Sequence, residues 1–235
     1  MRLLGLIGGM SWESSALYYR LLNEGVRDAL GGQHSARIAM LSLDFATIAR
    51  LQHAEDWPAL EREMVDAART LERTGAAAIV LCTNTMHRLA PAIEAAVAIP
   101  LLHIADAAGA AAKAAGAMRV GLLGTAFTME QAFYRDRLAA RFGVEAIVPD
   151  AVDRATVHRI IYDELVRGVV TAESRAAYRD VMARLVARGA QGIVLGCTEI
   201  GLLVDARDAA VPLFDTTPLH AAMAVRFALT PPAGT

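Results

Sequence analysis

The sequence predicts an α/β protein made of two pseudo-symmetric lobes, each a mainly parallel sheet flanked by helices, with the active site in the cleft between them. Two observations carry this. Short apolar runs bounded by glycine alternate with longer stretches of helical periodicity, the pattern of strands covered by helices on both faces. Three segments also recur in the same order at nearly constant spacing, the mark of an internal duplication. Gly189 to Glu199 repeats Gly75 to Thr85 at an offset of 114, so Ile193-Val194-Leu195 falls on Ile79-Val80-Leu81 and Cys197 on Thr83. Val120 to Thr125 repeats Leu4 to Gly9 at 116, and Val211 to Asp215 repeats Ile99 to His103 at 112. The expected division is an N-terminal lobe over 1–115, a C-terminal lobe over 116–215, and a helix and tail over 216–235 that can pack back on the first lobe.

In chain order, Leu3 to Ile7 reads as a buried strand ending in the Gly8-Gly9 turn. Ser11 caps a helix that carries Leu17, Tyr18, Leu21, Leu22 and Val26 at helical spacing and stops at Gly31-Gly32. Ala36 to Leu43 is a second strand, and Asp44 and Thr47 open a loop or short helix containing Arg50 and Gln52. Trp57-Pro58 starts a long amphipathic helix through Arg73. The first copy of the repeated strand follows, then a helix over Met86 to Val97, a short strand over Ile99 to His103 and an Ala-rich helix over Asp106 to Ala117. The second half repeats the order, with helices over Met129 to Arg141, Ala151 to Arg167 and Glu173 to Arg188, and strands over Val144 to Val148 and Gly192 to Leu195. Pro218 to Leu229 is the last helix, and 231–235 reads as a frayed tail.

Composition narrows the function classes. Hydrophobic residues make up 55% of the 235 positions and aromatic ones only 6%, which suits Ala-, Leu-, Val- and Ile-rich helices packed on strands. A formal net charge of −2 offers no basic surface for a nucleic-acid backbone. The two cysteines fit reduced thiols in a cytoplasmic protein better than a disulfide. No stretch reaches membrane-spanning length without a charge or a helix breaker. Arg2 to Gly8 is too short an apolar run for a secretory signal, and Glu13 comes too soon after it. The six histidines show no metal-ligand spacing. Gly5-Leu6-Ile7-Gly8-Gly9 lacks the third glycine and the distant acid of a dinucleotide fingerprint.

Ligands of parallel sheets sit beyond the carboxyl ends of the strands. Gly8-Gly9-Met10, Thr83-Asn84-Thr85, Gly124-Thr125 and Cys197-Thr198-Glu199 all fall there. An acid–base group on each wall of such a cleft is what racemisation needs: one group removes a proton from one face of a chiral carbon, the other returns a proton to the opposite face. A thiol suits the task because its free pKa of about 8.5 can be lowered by its surroundings. Hydroxyls, amides and helix starts at the same strand ends can hold carboxylates.

Three motifs, Gly8-Gly9-Met10-Ser11-Trp12-Glu13-Ser14, Asn84-Thr85-Met86-His87 and Gly196-Cys197-Thr198-Glu199, make the whole chain resemble the aspartate/glutamate racemase superfamily. The resemblance implies PLP-independent racemisation of an acidic or related amino acid, a small-molecule substrate, with no cofactor and in a homodimer. Charge, composition and cysteine usage point to a cytoplasmic protein that contacts neither nucleic acid nor membrane. It implies Cys197 and Thr83 as the catalytic pair, and Met10, Gln52, Asn84, Thr85, Thr198 and Glu199 around the substrate. Glu199 either tunes Cys197 or caps the next helix, and His87 is either a partner behind the site or a helix-surface residue.

One departure stands out. The family places a cysteine directly before the Asn-Thr pair; this chain has Thr83 there and its cysteine one position earlier. Side chains alternate along a strand, so with Thr83 facing the cleft, Cys82 points into packing. A thiolate opposite a hydroxyl makes catalysis lopsided, favouring one enantiomer. The rival readings are a decarboxylase or cis–trans isomerase of a small dicarboxylate in the same superfamily, and a non-catalytic two-lobed binding protein.

Overall fold

The computed structural model describes residues 1–231; most of the predicted tail, 232–235, lies outside the described residues. Among the described residues, eight strands are interleaved with eleven α-helices. They are β1 (Leu4–Gly8), α1 (Trp12–Leu30), β2 (Ile38–Ser42), α2 (Phe45–His53), α3 (Trp57–Arg73), β3 (Ala78–Leu81), α4 (Ala90–Ala96), β4 (Leu101–Leu102) and α5 (Ile104–Ala114). The series continues with β5 (Arg119–Gly124), α6 (Ala126–Glu130), α7 (Ala132–Phe142), β6 (Glu145–Ile147), α8 (Ala151–Asp163), α9 (Ala172–Ala187), β7 (Ile193–Gly196), α10 (Ile200–Leu203), β8 (Leu213–Asp215) and α11 (Thr216–Leu229).

The strands form two four-stranded parallel sheets, ordered β2-β1-β3-β4 and β6-β5-β7-β8. The duplication extends to register. Leu6 pairs with Val80 and Val80 with Leu102 in the first sheet; Leu122 pairs with Val194 and Val194 with Phe214 in the second. Those residues are related by the offsets of 116, 114 and 112 found in the sequence, so the repeat fixes which residues face each other across the ladder. By contact density the chain divides into two compact units, Met1–His103 with the chain from His220 onward, and Ile104–Leu219.

Each sheet is buried on both faces. In the first unit Ile7, Ile79 and Leu81 pack with Leu60, Met64 and Leu71 of α3, while Leu4, Leu6 and Val80 pack with Tyr18, Leu22 and Val26 of α1 and Ala221, Ala224 and Val225 of α11. In the second, Ile193 and Leu195 pack with Val157 and Ile160 of α8 and Met182 and Leu185 of α9; Val120, Leu122 and Val194 pack with α5 and α7. Burial of apolar side chains on this scale, at about 25 cal/mol per Å², is the main favourable contribution to folding.

Several boundaries differ from the sequence reading, each for a local reason. The helix expected over 86–97 is a 3-10 turn, Thr85–Leu89, followed by α4, because Pro91 lacks an N–H and restarts the helix near its own first turn. The helix expected over 129–141 is broken at Gln131, whose extended backbone (ψ 146°) separates α6 from α7. That expected over 151–167 ends at Asp163, and a 3-10 turn, Leu165–Arg167, leads to Gly168 at φ +71°. Ser11 does cap α1, accepting from Ser14 N at 3.3 Å, and α3 spans the residues expected. No helix among the described residues is long and apolar enough to cross a membrane.

Candidate active site

In the second unit the site residues expected from the sequence follow β7 without a gap. Gly196 ends the strand, Cys197 and Thr198 form the turn, and Glu199 precedes α10. The Cys197 thiol donates to Glu199 Oε2 at 3.0 Å, and Thr198 Oγ1 donates to the same oxygen at 2.6 Å. One carboxylate oxygen therefore gathers both neighbours. Glu199 occupies the cap position of α10 but makes no side-chain capping bond there. Of the two roles open to it, the carboxylate takes the one beside the thiol.

Electrostatics follow from this geometry. Burial, then the Glu199 charge, push the Cys197 thiol well above its ordinary range, outweighing the backbone N–H groups that favour the thiolate. At neutral pH Cys197 therefore rests as a thiol with its proton directed at Glu199. The sequence had suggested surroundings that could lower its pKa; in the folded unit they raise it. Cys197 and Tyr162 both pack on the α8–α9 core, and Tyr162 is pushed up to about 12 by burial and by the Cys197 and Glu199 charges. Tyr178 is raised for related reasons. The Tyr162 ring lies 4.7 Å from that of His158, whose Nδ1 accepts from Ala126 N at 3.1 Å. Sequence reasoning passed over these α8 and α9 residues; the signal available was the four-residue spacing of His158 and Tyr162, which sets both on one helix face.

In the first unit the equivalent strand end carries Thr83, half-buried, then Asn84 and Thr85, both buried. Cys82 points the other way. It is fully buried among Leu4, Leu6, Tyr18 and Leu22, its thiol 3.7 Å from Val80 O and its carbonyl accepting from Ser14 Oγ at 3.2 Å. Burial alone drives its pKa far upward, so it stays a neutral thiol. Cys82, the residue after β3, thus lies in packing, as the sequence implied.

His87 is not on a helix surface, as one reading had it. It is 1% exposed, and its Nδ1 bonds Thr83 O at 2.8 Å. Its ring lies 4.5 Å from that of His103 and 5.7 Å from that of His220. His220 in turn bonds Leu102 O through Nε2 at 2.6 Å and Tyr18 OH through Nδ1 at 2.8 Å.

Met10 and Gln52 sit in the first unit as well. Met10 is buried in the core cluster with Ile48 and Leu51, and Gln52 is buried on α2, a nine-residue helix rather than a loop. The glycines before Met10 are required by close approach. Gly9 has φ +86°, and a Cβ there would strike the Leu43 backbone; at Gly8 it would meet Ser15 Oγ at 2.6 Å. That hydroxyl instead accepts from Gly9 N at 2.8 Å. No group of three or more His, Cys, Asp or Glu side chains among the described residues could hold a metal ion.

Residues 7–224 match the profile of the Asp/Glu/Hydantoin racemase family. The chain belongs to that family. Racemases are isomerases, and the class of activity is accordingly that of an amino-acid racemase. A Yersinia pestis protein described as a candidate Asp/Glu racemase is 53% identical, with 98% of this chain and 100% of that one covered at a TM-score of 0.93. An aspartate racemase homologue of Pyrococcus horikoshii is 29% identical, with the same coverage and a TM-score of 0.85. The broad-specificity amino-acid racemase RacX of Bacillus subtilis is 25% identical over 162 residues, 69% of each chain.

Proposed function

We propose that the protein racemises an acidic amino acid, aspartate or glutamate, by proton transfer at the α carbon without a cofactor. In this reading Cys197 is the base and Thr83 works the opposite face. The observation that carries it is the hydrogen-bonded Cys197–Glu199 pair at the end of β7, set against a hydroxyl at the equivalent position after β3. The substrate class rests on the relatives, an aspartate racemase homologue and a candidate Asp/Glu racemase among them.

The resting thiol must lose its proton before it can take another. Glu199 Oε2 already accepts from it, so the proton moves along that bond as the thiolate forms and removes the substrate α-hydrogen. The carbanion places its charge on the α-carboxylate, which Asn84 and Thr85 hold by hydrogen bonds, with Thr198, Met10 and Gln52 bounding the site. The Thr83 hydroxyl then gives its proton to the opposite face while taking one from water, and Glu199 returns its proton to solvent. A threonine alkoxide is far too basic to form at neutral pH, so abstraction from the Thr83 side is slow. The enantiomer whose α-hydrogen faces Cys197 is therefore favoured in α-hydrogen exchange. The protein acts in the cytoplasm as a homodimer, following the resemblance and the reduced state expected of its cysteines.

The test is α-hydrogen exchange in heavy water, measured separately for the L and D forms of aspartate and glutamate. Exchange of one enantiomer well above the other supports the reading. Equal rates reject the asymmetry, and no exchange with any amino acid rejects the racemase.

A further inference from the structure

The duplicated fold treats its two catalytic strand ends differently at one backbone carbonyl. After β7 the Cys197 carbonyl accepts a backbone bond from Ile200 N at 3.2 Å. After β3 the Thr83 carbonyl is taken by a side chain, His87 Nδ1 at 2.8 Å. The backbone N–H of His87, which in an α-helix would serve that carbonyl, bonds Asn84 O at 3.1 Å and tightens the turn to 3-10 geometry. The imidazole thus replaces its own residue's amide. A carbonyl oxygen only accepts, so Nδ1 carries the proton and the ring orientation is fixed.

The histidine belongs to one half of the repeat alone. At the offset of 114 that relates Thr83 to Cys197, His87 corresponds to Gly201; at 112, His103 corresponds to Asp215. The contact between the two positions is kept in both units. In the second, the Asp215 carboxylate fills the space where a Gly201 side chain would be. In the first, the rings of His87 and His103 pack at 4.5 Å, and His220, anchored to Leu102 O and Tyr18 OH, closes on His87 from α11. Filling the volume does not require imidazole, as Gly201 and Asp215 demonstrate. What His87 adds is a directed donor to the residue that carries the hydroxyl.

We propose that His87 is the positioning residue for the Thr83 face of the reaction. It pins the peptide after Thr83 and so fixes the direction of the Thr83 side chain and of the Asn84 N–H. This rests on the racemase reading given above. Cys197 and its face do not depend on the bond, because their turn is held by the Ile200 amide.

The two faces can be read apart. In heavy water, a proton removed by Cys197 and replaced on the same face gives deuterated substrate with retained configuration; delivery at the Thr83 face gives inversion. His87→Leu removes the donor. Inversion is expected to fall about tenfold, the loss of roughly one hydrogen bond, while exchange with retention stays within about twofold. Asn carries its amide nitrogen where Nδ1 stands, so His87→Asn should restore inversion. Asp presents an oxygen there instead, so His87→Asp should not, and this pair decides the matter even where the Leu variant fails to fold. A parallel fall in retention and inversion, or equal behaviour of the Asn and Asp variants, overturns the proposal. A wild-type protein without exchange of any kind overturns the racemase reading itself, a result distinct from either.

Discussion

The Cys197 thiol and the Glu199 carboxylate share a 3.0 Å hydrogen bond across a two-residue separation at the end of β7. It holds the proton on sulfur at rest and, in the proposed reaction, is the route by which that proton leaves. Glu199→Gln separates these effects. Removing the charge lowers the Cys197 pKa, so alkylation by iodoacetamide at pH 8 should become faster. Removing the proton acceptor should lower racemisation by about 10²- to 10⁴-fold, the usual range for a general base. Faster alkylation with unchanged turnover would show that Glu199 does not take the proton.

Cys197→Ser should abolish exchange for both enantiomers. Thr83→Cys supplies a second thiol at the equivalent strand end, and the ratio of the L and D rates should move toward one. The check is the pair of initial exchange rates for each variant. An unchanged ratio in Thr83→Cys would mean that the hydroxyl is not the source of the asymmetry.

Cys82 provides an internal control. It is sealed in the α1 side of the first core, with its pKa driven upward by burial alone. Mass spectrometry after alkylation of the native protein should find one modified thiol, Cys197, and two after denaturation. Cys82→Ala should keep activity within about threefold and lose about 1 kcal/mol of stability through the small cavity it leaves.

Asp215 gives a pH dependence whose sign can be stated. Burial raises it from 3.8 to about 6, only partly offset by the Thr217 N–H bond at 3.1 Å. The folded protein therefore holds this proton more tightly than the unfolded chain. The resulting stabilisation is complete below pH 3.8 and is lost as pH rises through about 6. Asp215→Asn cannot ionise. Its stability relative to wild type, from urea unfolding at several pH values, should rise between pH 4 and pH 7 by at most about 3 kcal/mol, at 1.36 kcal/mol per unit. A difference that is flat across that range would place the titration elsewhere.

Much of this is legible in the amino-acid sequence. The offsets that align Leu6, Val80 and Leu102 with Leu122, Val194 and Phe214 are the ladder register itself, because a strand period of two leaves a repeat no freedom to slip without exchanging its buried and exposed faces. The same alternation predicted that Cys82 turns inward, where the core holds it. Glycine and serine chemistry marked the Gly8-Gly9 turn and the start of α1.

Only the folded chain decided the rest. Nothing local to Met86 or Leu89 tells that His87 is buried, since it meets His103 and His220 from segments 16 and 133 residues away. Glu199 could equally have capped α10, and its choice of the thiol depends on how the turn after β7 is held. Tyr162 and Tyr178 reach the Cys197 neighbourhood from α8 and α9, through packing. Periodicity records which face of an element is dry; it carries no information on which distant side chain fills the opposite side of the contact.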